Sequence, residues 1–310
     1  MRRLLVLGGG GFVGGRLVRL ALARGMEVTV AEARGGGGRI ADLVGKVALL
    51  ETGDNASVRD AVAAARFDAA VWAAGHNPGE GLARAAVDDV AAAVAGNAGT
   101  FAAFLLACAA AGVPRVVACG SSVVYGPASL YPGPVDEVAP PAPVSAYGMS
   151  KRMAEVAADW AREAHGLDVT TLRLPLVLGP GRWYGGAAAP LARLLDAAAR
   201  GAAACEAVPD GPFDAVHGDD AAAALLVLAT RRGTPAILNL TGFVATWAGA
   251  AGALRALRPG AAVEVAPRRD PGAFPLMDGS RLRAATGFEP NHDLRTTLAD
   301  ALTERMETPA

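Results

Sequence analysis

A glycine-rich segment close to the start of the chain constrains the fold more than any other feature. It follows an apolar run of strand length at residues 3–7 and leads into residues 15–23, which have helical periodicity. Gly8, Gly11 and Gly14 keep a three-residue spacing within it. Glycines spaced in this way let the backbone approach a pyrophosphate closely, while the N–H groups and dipole of the following helix face it. The order of strand, glycine loop and helix therefore predicts a dinucleotide site.

The second strand-like run, at residues 27–31, ends at Glu32. A carboxylate in this place can hold the adenosine ribose hydroxyls of a dinucleotide. It favours NAD, because the same carboxylate would repel the additional phosphate of NADP. Arg34 and Arg39 follow shortly afterwards, and their guanidinium groups are suited to pair with that phosphate. The sequence predicts NAD and leaves NADP as an alternative.

Strand-like runs alternate with alanine-rich helical stretches through the first two-thirds of the chain. The further strand-like runs lie at residues 47–50, 69–72, 115–118 and 169–173. This alternation predicts an α/β fold with a doubly wound parallel sheet. Ligands of such sheets bind outside the carboxyl ends of the strands. One crevice is therefore expected among the loops that begin at Gly8, Glu32, Gly53, Ala73, Gly120 and Pro175.

The pattern weakens from Gly179 onwards, where prolines and glycines interrupt shorter elements. Residues 187–201 and 219–230 have helical patterns, and residues 236–240 are expected to form a strand that returns to the main sheet. The predicted division is a dinucleotide-binding domain at 1–174 with returning segments at about 212–242, and a smaller C-terminal substrate-binding part at 175–211 and 243–310.

Composition excludes several classes of function. A net charge of -1 predicts no nucleic-acid partner. The longest apolar run, residues 101–114, is too short to span a bilayer, so no membrane partner is expected. Arginines at positions 2 and 3 imitate the start of a signal peptide, but the glycines break the apolar stretch that follows. We therefore expect a cytoplasmic protein.

Cysteine and histidine are scattered rather than clustered. The cysteines are Cys108, Cys119 and Cys205, and the histidines are His76, His165, His217 and His292. An odd number of widely spaced cysteines in apolar surroundings is typical of reduced core thiols. No two histidines have the spacing of metal ligands. The sequence predicts no metal site.

A tyrosine and a lysine stand four positions apart at Tyr147 and Lys151. Only two of the 29 basic residues are lysines, which makes the pair informative. Residues i and i+4 share one face of a helix, so the phenol and the ammonium would face a common point. A cation beside a phenol favours the phenolate. Tyr147 is therefore a candidate general base near neutral pH.

Six motifs occur in order along the chain. They are Gly8-x-x-Gly11-x-x-Gly14, Gly53-Asp54, Asn97-Ala-Gly-Thr100, Ser121-Ser-Val-Val-Tyr-Gly126, Tyr147-x-x-x-Lys151 and Val216-His-Gly-Asp219. Together they resemble the extended short-chain dehydrogenase/reductases, the NAD(P)-dependent epimerase/dehydratase proteins, from residue 1 to about residue 300. The resemblance implies a Rossmann-type fold and a homodimer formed by the helices that carry Tyr147 and Asn97.

The resemblance also implies roles for individual residues. Ser121 would hydrogen-bond the reacting oxygen of a small-molecule substrate, Tyr147 would take or give its proton, and Lys151 would bond the nicotinamide ribose and lower the pKa of the phenol. The expected cofactor-binding residues are Gly8, Gly11, Phe12, Val13, Gly14, Glu32, Asp54, Asn55, Ala73, Ala74, Asn97, Tyr147, Lys151 and Pro175. The expected substrate-binding residues, taken from their positions, are His76, Asn77, Ser122, Arg182 and Trp183, with Arg268 or Arg269 as candidates for a carboxylate.

Simpler interpretations stand beside some of these roles. Ser121 and Ser122 are also suited to a strand-end turn. Asp54 is equally suited to cap a helix that begins near residue 56. Trp183 is as well suited to filling a gap between domains as to lining a substrate lid.

The chain departs from the nucleotide-sugar members of the family at two positions. Leu176 stands where those members commonly have an asparagine, and Phe213 stands where they commonly have an arginine. Apolar side chains cannot supply the charge-assisted bonds that hold a diphosphate. Ser122 and Val123 replace the acidic pair of the sugar dehydratases, so dehydration by that route lacks its acid and base.

Three functions follow from this pattern. The first is an oxidoreductase that moves hydride between NAD(P) and a small alcohol or carbonyl compound, such as a sugar, sugar acid or hydroxy acid. The second is a nucleotide-sugar epimerase with tightly held NAD. The third is a non-catalytic dinucleotide-binding protein, which the intact Ser121, Tyr147 and Lys151 set disfavours.

Overall fold

The computed structural model of the chain describes residues 1–77, 87–181, 186–268 and 273–307. The strands are β1 (Arg3–Leu7), β2 (Glu27–Ala33), β3 (Ala48–Thr52), β4 (Ala69–Trp72), β5 (Val116–Ser121), β6 (Val169–Leu174), β7 (Leu176–Leu178), β8 (Ala204–Pro209), β9 (Pro212–His217), β10 (Ile237–Asn239), β11 (Phe243–Thr246) and β12 (Val263–Arg268). The α-helices are α1 (Phe12–Ala23), α2 (Asn55–Ala63), α3 (Val87–Val94), α4 (Thr100–Ala110), α5 (Ala146–His165), α6 (Ala189–Arg200), α7 (Gly218–Ala229), α8 (Trp247–Leu257), α9 (Ser280–Thr286) and α10 (Leu294–Glu307).

Seven parallel strands form the main sheet in the order β10-β6-β5-β4-β1-β2-β3. The central strand β1 is buried on both faces because its side chains alternate between two apolar layers. Leu4 and Val6 face the side covered by α1 and α7, whereas Leu5 and Leu7 face α2 and α4. The doubly wound Rossmann-type sheet predicted from the alternating pattern is confirmed.

Strand β5 is longer than the sequence indicated. Gly120 and Ser121 continue the ladder and pair in register with Arg173 and Leu174 of β6. The prediction that a loop begins at Gly120 is therefore wrong by two residues, because backbone pairing with β6 extends β5 to Ser121. The predicted loop start at Glu32 is wrong by the same margin, because Glu32 and Ala33 pair with β3 and extend β2. The carboxyl ends of the parallel strands still lie at one edge of the sheet.

A second part of the protein is built on two small sheets. One has three strands in the order β11-β9-β7, and the other pairs β12 with β8. Helices α6, α8 and α10 enclose an apolar cluster that includes Leu194, Phe213, Trp247 and Leu298. Because β9 joins this part, only α7 and β10 of the predicted returning stretch belong to the layers of the main sheet. Strand β10 pairs with β6, as predicted for residues 236–240.

The helical stretch Val90–Ala110 is long and apolar enough, by length and composition alone, to cross a membrane. Core helices that pack on a sheet share this composition. Within it, α4 buries Phe101, Phe104, Leu105 and Cys108 against the layer that contains α2 and α5. The expectation that no segment spans a membrane stays a prediction.

Candidate active site

The glycine loop connects β1 to α1 and packs against the residues that follow β4. Gly8 has a positive φ of 78°, and a Cβ atom on it would lie 2.4 Å from the backbone nitrogen of Ala74. A Cβ atom on Gly14 would lie 2.0 Å from the carbonyl oxygen of Gly8. Helix α1 starts at Phe12, and no side chain caps its N-terminus at Gly11. The first N–H groups of α1 are therefore directed at a place where a phosphate can bind.

Glu32 lies at the end of β2, immediately beside this loop. One carboxylate oxygen accepts the Gly10 N–H at 2.8 Å, and the other accepts the Ala33 N–H at 3.0 Å. Each oxygen retains acceptor capacity for a ribose hydroxyl. The carboxylate thus fastens the glycine loop, and its contact with a ribose stays a prediction.

The two arginines that favour NADP are engaged with other groups. The Arg34 guanidinium lies 3.4 Å from the Glu51 carboxylate. Arg39 donates to the carbonyl oxygen of Gly181 at 2.5 Å. Arg39 is therefore bonded to another segment, whereas Arg34 is 90% exposed and its surface contact leaves it available at the end of β2.

Asp54 caps helix α2. Its carboxylate accepts the Ser57 N–H at 2.8 Å, and the Ser57 hydroxyl accepts the Asp54 N–H at 3.0 Å. This reciprocal arrangement confirms the helix-cap interpretation and holds the pKa of the Asp54 carboxyl below its usual value. Contact of Asp54 or Asn55 with an adenine stays a prediction.

Lys151 is buried below the crevice. Its Nζ donates to the carbonyl oxygen of Cys119 in β5 at 3.1 Å and lies 5.6 Å from the centre of the Tyr147 ring. A Cβ atom on Gly75, in the loop after β4, would lie 3.3 Å from the same Nζ. The ammonium is therefore enclosed by β5, the β4 loop and α5. The predicted placement of Tyr147 and Lys151 on one helix is confirmed.

Asn97 lies in a turn of π-helix, Ala95–Gly99, between α3 and α4. Its Oδ1 accepts the His76 N–H, and its Nδ2 donates to the His76 carbonyl and to the Ser150 hydroxyl. The Ser150 hydroxyl in turn donates to the Tyr147 carbonyl. Asn97 thus fastens the β4 loop to α5. This position suits the resemblance-based role beside the active site, and a direct cofactor contact stays a prediction.

Ser121 ends β5 and precedes a 3₁₀ turn, Ser122–Tyr125. Its hydroxyl accepts the Val123 N–H at a long 3.4 Å, so Ser121 also has the turn-capping role considered as an alternative. A Cβ atom on Gly148 would lie 2.8 Å from the Val123 carbonyl oxygen. The start of α5 therefore packs tightly on the Ser121 turn, which brings Ser121 and the Tyr147 helix to the same edge.

The structure describes some of the remaining predicted residues and leaves others out. His76 and Asn77 follow β4, Pro175 is buried between β6 and β7, and Arg268 ends β12. Ala73 and Ala74 lie against the glycine loop. The predicted substrate-binding residues Arg182 and Trp183, together with Arg269, lie outside the described residues.

Residues 4–241 match the model of the NAD dependent epimerase/dehydratase family. The chain belongs to this family. No curated protein sequence matches it.

Solved structures of similar fold include the UDP-glucose 4-epimerase of Thermotoga maritima, with a TM-score of 0.86 and 22% identity over 98% of this chain and 99% of that chain. The UDP-glucose 4-epimerase of Thermus thermophilus, in complex with NAD, has a TM-score of 0.83 and 25% identity over 97% and 98%. MoeE5, in complex with UDP-glucuronic acid and NAD, has a TM-score of 0.79 and 26% identity over 98% and 99%.

This epimerase/dehydratase family member has an apolar environment at both positions where the sequence lacks a diphosphate ligand. The Phe213 ring lies 4.7 Å from the Trp247 ring and is buried in the second part of the protein. Leu176 packs against the same cluster. Neither residue can hold a diphosphate through charge-assisted bonds.

A cluster of His217, His292 and Asp219 joins α7 to the start of α10, and its ligand-type atoms lie within 4.8 Å of one another. The imidazoles are stacked with centres 4.0 Å apart and planes 21° apart. Stacked rings direct their in-plane lone pairs side by side rather than to one point. In addition, His217 Nδ1 accepts the Asp219 N–H, and the Arg16 guanidinium lies 2.9 Å from the Asp219 carboxylate. The cluster is better explained as a packed junction than as a tetrahedral metal site.

A cleft of about 730 Å³ lies between residues 131–140 and the C-terminal segment, and Asp136, Asp214 and Asp278 line it. Each carboxylate already accepts a backbone N–H: Asp136 from Val138 and Ala139, Asp214 from Met277, and Asp278 from Ser280. These carboxylates therefore have structural partners.

The sequence analysis missed a buried charged group below the site. Arg173, in β6, and Glu155, in α5, are each 1% exposed and form an ion pair with Tyr125 beside it. The available signal was an arginine inside a strand that is otherwise apolar or weakly polar, because a buried charge requires a partner.

Proposed function

We propose that this protein is an NAD-dependent oxidoreductase that transfers hydride between the nicotinamide and a small alcohol or carbonyl compound, such as a sugar, sugar acid or hydroxy acid. The observation that carries the proposal is the buried Lys151 ammonium, held by the Cys119 carbonyl at 3.1 Å and 5.6 Å from the Tyr147 ring centre. A buried cation needs a functional or structural reason, and this one lies at the ligand-binding edge of a dinucleotide fold.

The residues present fit a dinucleotide. The uncapped N-terminus of α1 suits the pyrophosphate, and the absence of side chains at Gly8 and Gly14 is required by close backbone contacts. The position of Glu32 beside the glycine loop supports a role in binding the ribose hydroxyls. The Thermus thermophilus epimerase and MoeE5, both described with NAD, support the same cofactor.

Three side chains carry the proton chemistry in this proposal. A nicotinamide, when bound, supplies or accepts the hydride. The Ser121 hydroxyl orients the substrate oxygen, and the Tyr147 phenol takes the proton of an alcohol that is oxidised or gives one to a carbonyl that is reduced. The Lys151 ammonium stabilises the phenolate electrostatically. Asn97 holds the β4 loop and α5 in place around these groups.

The test is spectrophotometric formation of reduced nicotinamide from NAD and NADP with sugars, sugar acids, hydroxy acids and nucleotide sugars. A steady signal with a non-nucleotide alcohol supports the proposal. Tyr147→Phe should abolish turnover while the dissociation constant of NAD stays nearly unchanged, because the phenol is used for proton transfer. Unchanged turnover in that variant contradicts the assigned roles.

Specific residues favour NAD over NADP. The Glu32 carboxylate would repel a 2′-phosphate, and Arg39 is bonded to the Gly181 carbonyl. Titration calorimetry with both dinucleotides should show tighter binding of NAD. Glu32→Ser should reduce this preference by weakening the repulsion. Tighter binding of NADP by the wild-type protein would contradict the assignment.

A second candidate is a nucleotide-sugar epimerase with tightly held NAD. It is favoured by the likeness to the Thermus thermophilus UDP-glucose 4-epimerase and to MoeE5 described with UDP-glucuronic acid. The apolar surroundings of Leu176 and Phe213 disfavour it. Titration calorimetry with UDP and GDP in the presence of NAD separates the two functions. Binding of either nucleotide supports the epimerase, and its absence removes that candidate.

We also propose that the protein is a homodimer through α4 and α5. Four apolar side chains on α5, at spacings of four, three and four residues, are exposed: Met149, Met153, Val156 and Trp160. Leu106, on the adjacent α4, is exposed as well. A contiguous apolar face on a helix pair is typical of an interface, and two copies can bury it against each other.

Light scattering after size exclusion measures the mass directly. The wild-type protein should have twice the chain mass, and Val156→Glu should shift it towards one chain mass because a buried carboxylate opposes association. Val244→Glu, at an exposed apolar residue of β11, is the matched control and should leave the mass unchanged. A wild-type monomer would contradict the dimer.

A further inference from the structure

A buried group of charged and polar side chains connects the three segments that carry the candidate active site. Arg173 Nε and Nη2 donate to the two carboxylate oxygens of Glu155 at 2.7 and 2.9 Å. Arg173 Nη1 donates to the Tyr125 hydroxyl at 2.6 Å. Arg173 and Glu155 are each 1% exposed and Tyr125 is 0% exposed, so every one of these bonds is shielded from water.

Each member lies close to a catalytic candidate, either along the chain or across the sheet. Tyr125 follows Ser121 by one 3₁₀ turn. Glu155 follows Lys151 by four residues, so both lie on the buried face of α5. Arg173 pairs in register with Gly120, immediately before Ser121. The bidentate ion pair therefore sets the position of α5 against β5 and β6 one helical turn from Lys151.

The Tyr125 hydroxyl extends the connection beyond the ion pair. It lies 2.8 Å from the Asp136 carbonyl oxygen and 2.9 Å from Asn239 Oδ1, to which it can donate. Asn239 Nδ2 donates to the carbonyl oxygens of Val135 and Asp278. The group therefore connects the active-site strands and helix to the segments that border the second part of the protein.

Stability alone is a weak explanation for such a group. Desolvation of two charges is costly, and replacing a buried ion pair by apolar side chains of similar volume is often neutral or stabilising. Apolar side chains cannot reproduce the directional bonds of this group. Three N–H donors of one planar guanidinium bond acceptors on two separate segments, α5 and the turn after β5. A displacement of about 1 Å among reacting groups can cost about 100-fold in rate.

We infer that Arg173, Glu155 and Tyr125 are positioning residues that fix the Tyr147–Lys151 helix relative to Ser121. This inference rests on the proposed function, because it takes these three residues to be the reacting set. Arg173 and Glu155 touch neither substrate nor cofactor in this role. They act through the placement of α5 and of the turn after β5.

The informative variant is the double substitution Arg173→Met with Glu155→Leu. It removes both charges together, and the other partner of Glu155, Arg152, is 35% exposed and can be solvated. The melting temperature of this variant should therefore stay within a few degrees of the wild-type value. The ion pair of buried Arg115 and half-buried Asp168, at 2.6 Å and at the opposite end of β5 and β6, offers the control. Arg115→Met with Asp168→Leu removes a comparable pair far from the site.

Two readouts separate positioning from folding. The first is the ultraviolet titration of Tyr147 in NAD-bound protein, obtained by subtracting the same variant with Tyr147→Phe. In the Arg173/Glu155 double variant the phenolate signal should appear at higher pH, because Lys151 is no longer held beside the phenol. The second is turnover with the best alcohol of the substrate panel at saturating NAD, where kcat should fall about 10- to 100-fold. The Arg115/Asp168 variant should match the wild-type protein in both.

Wild-type titration and wild-type kcat in a folded Arg173/Glu155 double variant would overturn the inference. If that variant does not fold, Tyr125→Phe decides, because it removes one hydroxyl and leaves the ion pair intact. A changed Tyr147 titration in Tyr125→Phe supports positioning, and an unchanged one opposes it. Failure of the proposed function has a different signature, since the wild-type protein would then show no turnover with any alcohol of the panel, while the Tyr147 titration of the NAD-bound variants would still report positioning.

Discussion

Asn97 holds the backbone of His76 from both sides, accepting its N–H at 2.7 Å and donating to its carbonyl at 2.7 Å. An asparagine side chain presents a donor and an acceptor side by side, so it can pair with a peptide unit as a neighbouring strand would. The π-helical turn at residues 95–99 directs Asn97 inwards, and π-turns within helices are frequently found at functional sites.

We expect Asn97→Ala to lower the free energy of unfolding by about 2–3 kcal/mol, because it leaves the backbone groups of His76 and the Ser150 hydroxyl with fewer partners. Urea denaturation measures this change. Asn291→Ala, at an exposed position, is the control. A loss equal to that of the control would mean that water replaces the asparagine without cost.

Two adjacent glycines in the first turn of α1, Gly14 and Gly15, allow a test of the glycine loop. Gly14→Ala should abolish measurable NAD binding, because its Cβ would lie 2.0 Å from the Gly8 carbonyl oxygen and displace the loop. Gly15→Ala should bind NAD like the wild-type protein, because its nearest contact is an ordinary 3.4 Å. Calorimetric titration compares them. Equal affinities would show that the loop is not held by this contact.

Asp214 predicts an unusual pH dependence of stability. Burial raises the pKa of Asp214 to about 6 from 3.8, although the Met277 N–H partly opposes the shift. The folded protein therefore binds this proton more tightly than the unfolded chain, and the contribution of Asp214 to stability falls as pH rises from about 4 through about 6.

Asp214→Asn should consequently raise the melting temperature at about pH 8 and give no gain near pH 4, because the amide stays neutral and can still accept the Met277 N–H. Thermal melts across this range measure the effect. Asp210→Asn, on the adjacent β8–β9 turn, is the control. The same gain at every pH would exclude titration of Asp214 as the cause.

His217 should make stability depend on pH in the opposite direction to Asp214. Burial lowers the pKa of this imidazole from 6.5, and the stacked His292 adds to the effect. The unfolded chain then binds the proton more tightly, so stability is complete above about pH 6.5 and is lost as pH falls below it. His217→Asn, whose amide oxygen can accept the Asp219 N–H, should lose less stability between about pH 7 and pH 5. An equal fall in melting temperature between about pH 7 and pH 5 in the wild-type protein and the variant would contradict this expectation.

Much of the fold was predictable because the two periodicities of the main sheet are plain in the sequence. Buried parallel strands appear as short apolar runs, and the helices between them appear as alanine-rich stretches. The end of β5 was not predictable from pattern, because pairing of Gly120 and Ser121 with β6 is a long-range interaction that leaves no local signal. The same reason explains why β9, at Pro212–His217, joins the second part of the protein.

The sequence by itself determined the chemistry available at the site. A phenol and an ammonium four residues apart must share a helix face, and glycines in the first loop must permit close backbone contact. Only the tertiary structure decided what surrounds them. Tertiary packing brings the Cys119 carbonyl to Lys151, the Asn97 amide to the His76 backbone, and Arg173 to Glu155. Each of these contacts joins residues from different elements of the fold. Local spacing fixes which groups lie on one element, whereas the packing of elements fixes which groups meet.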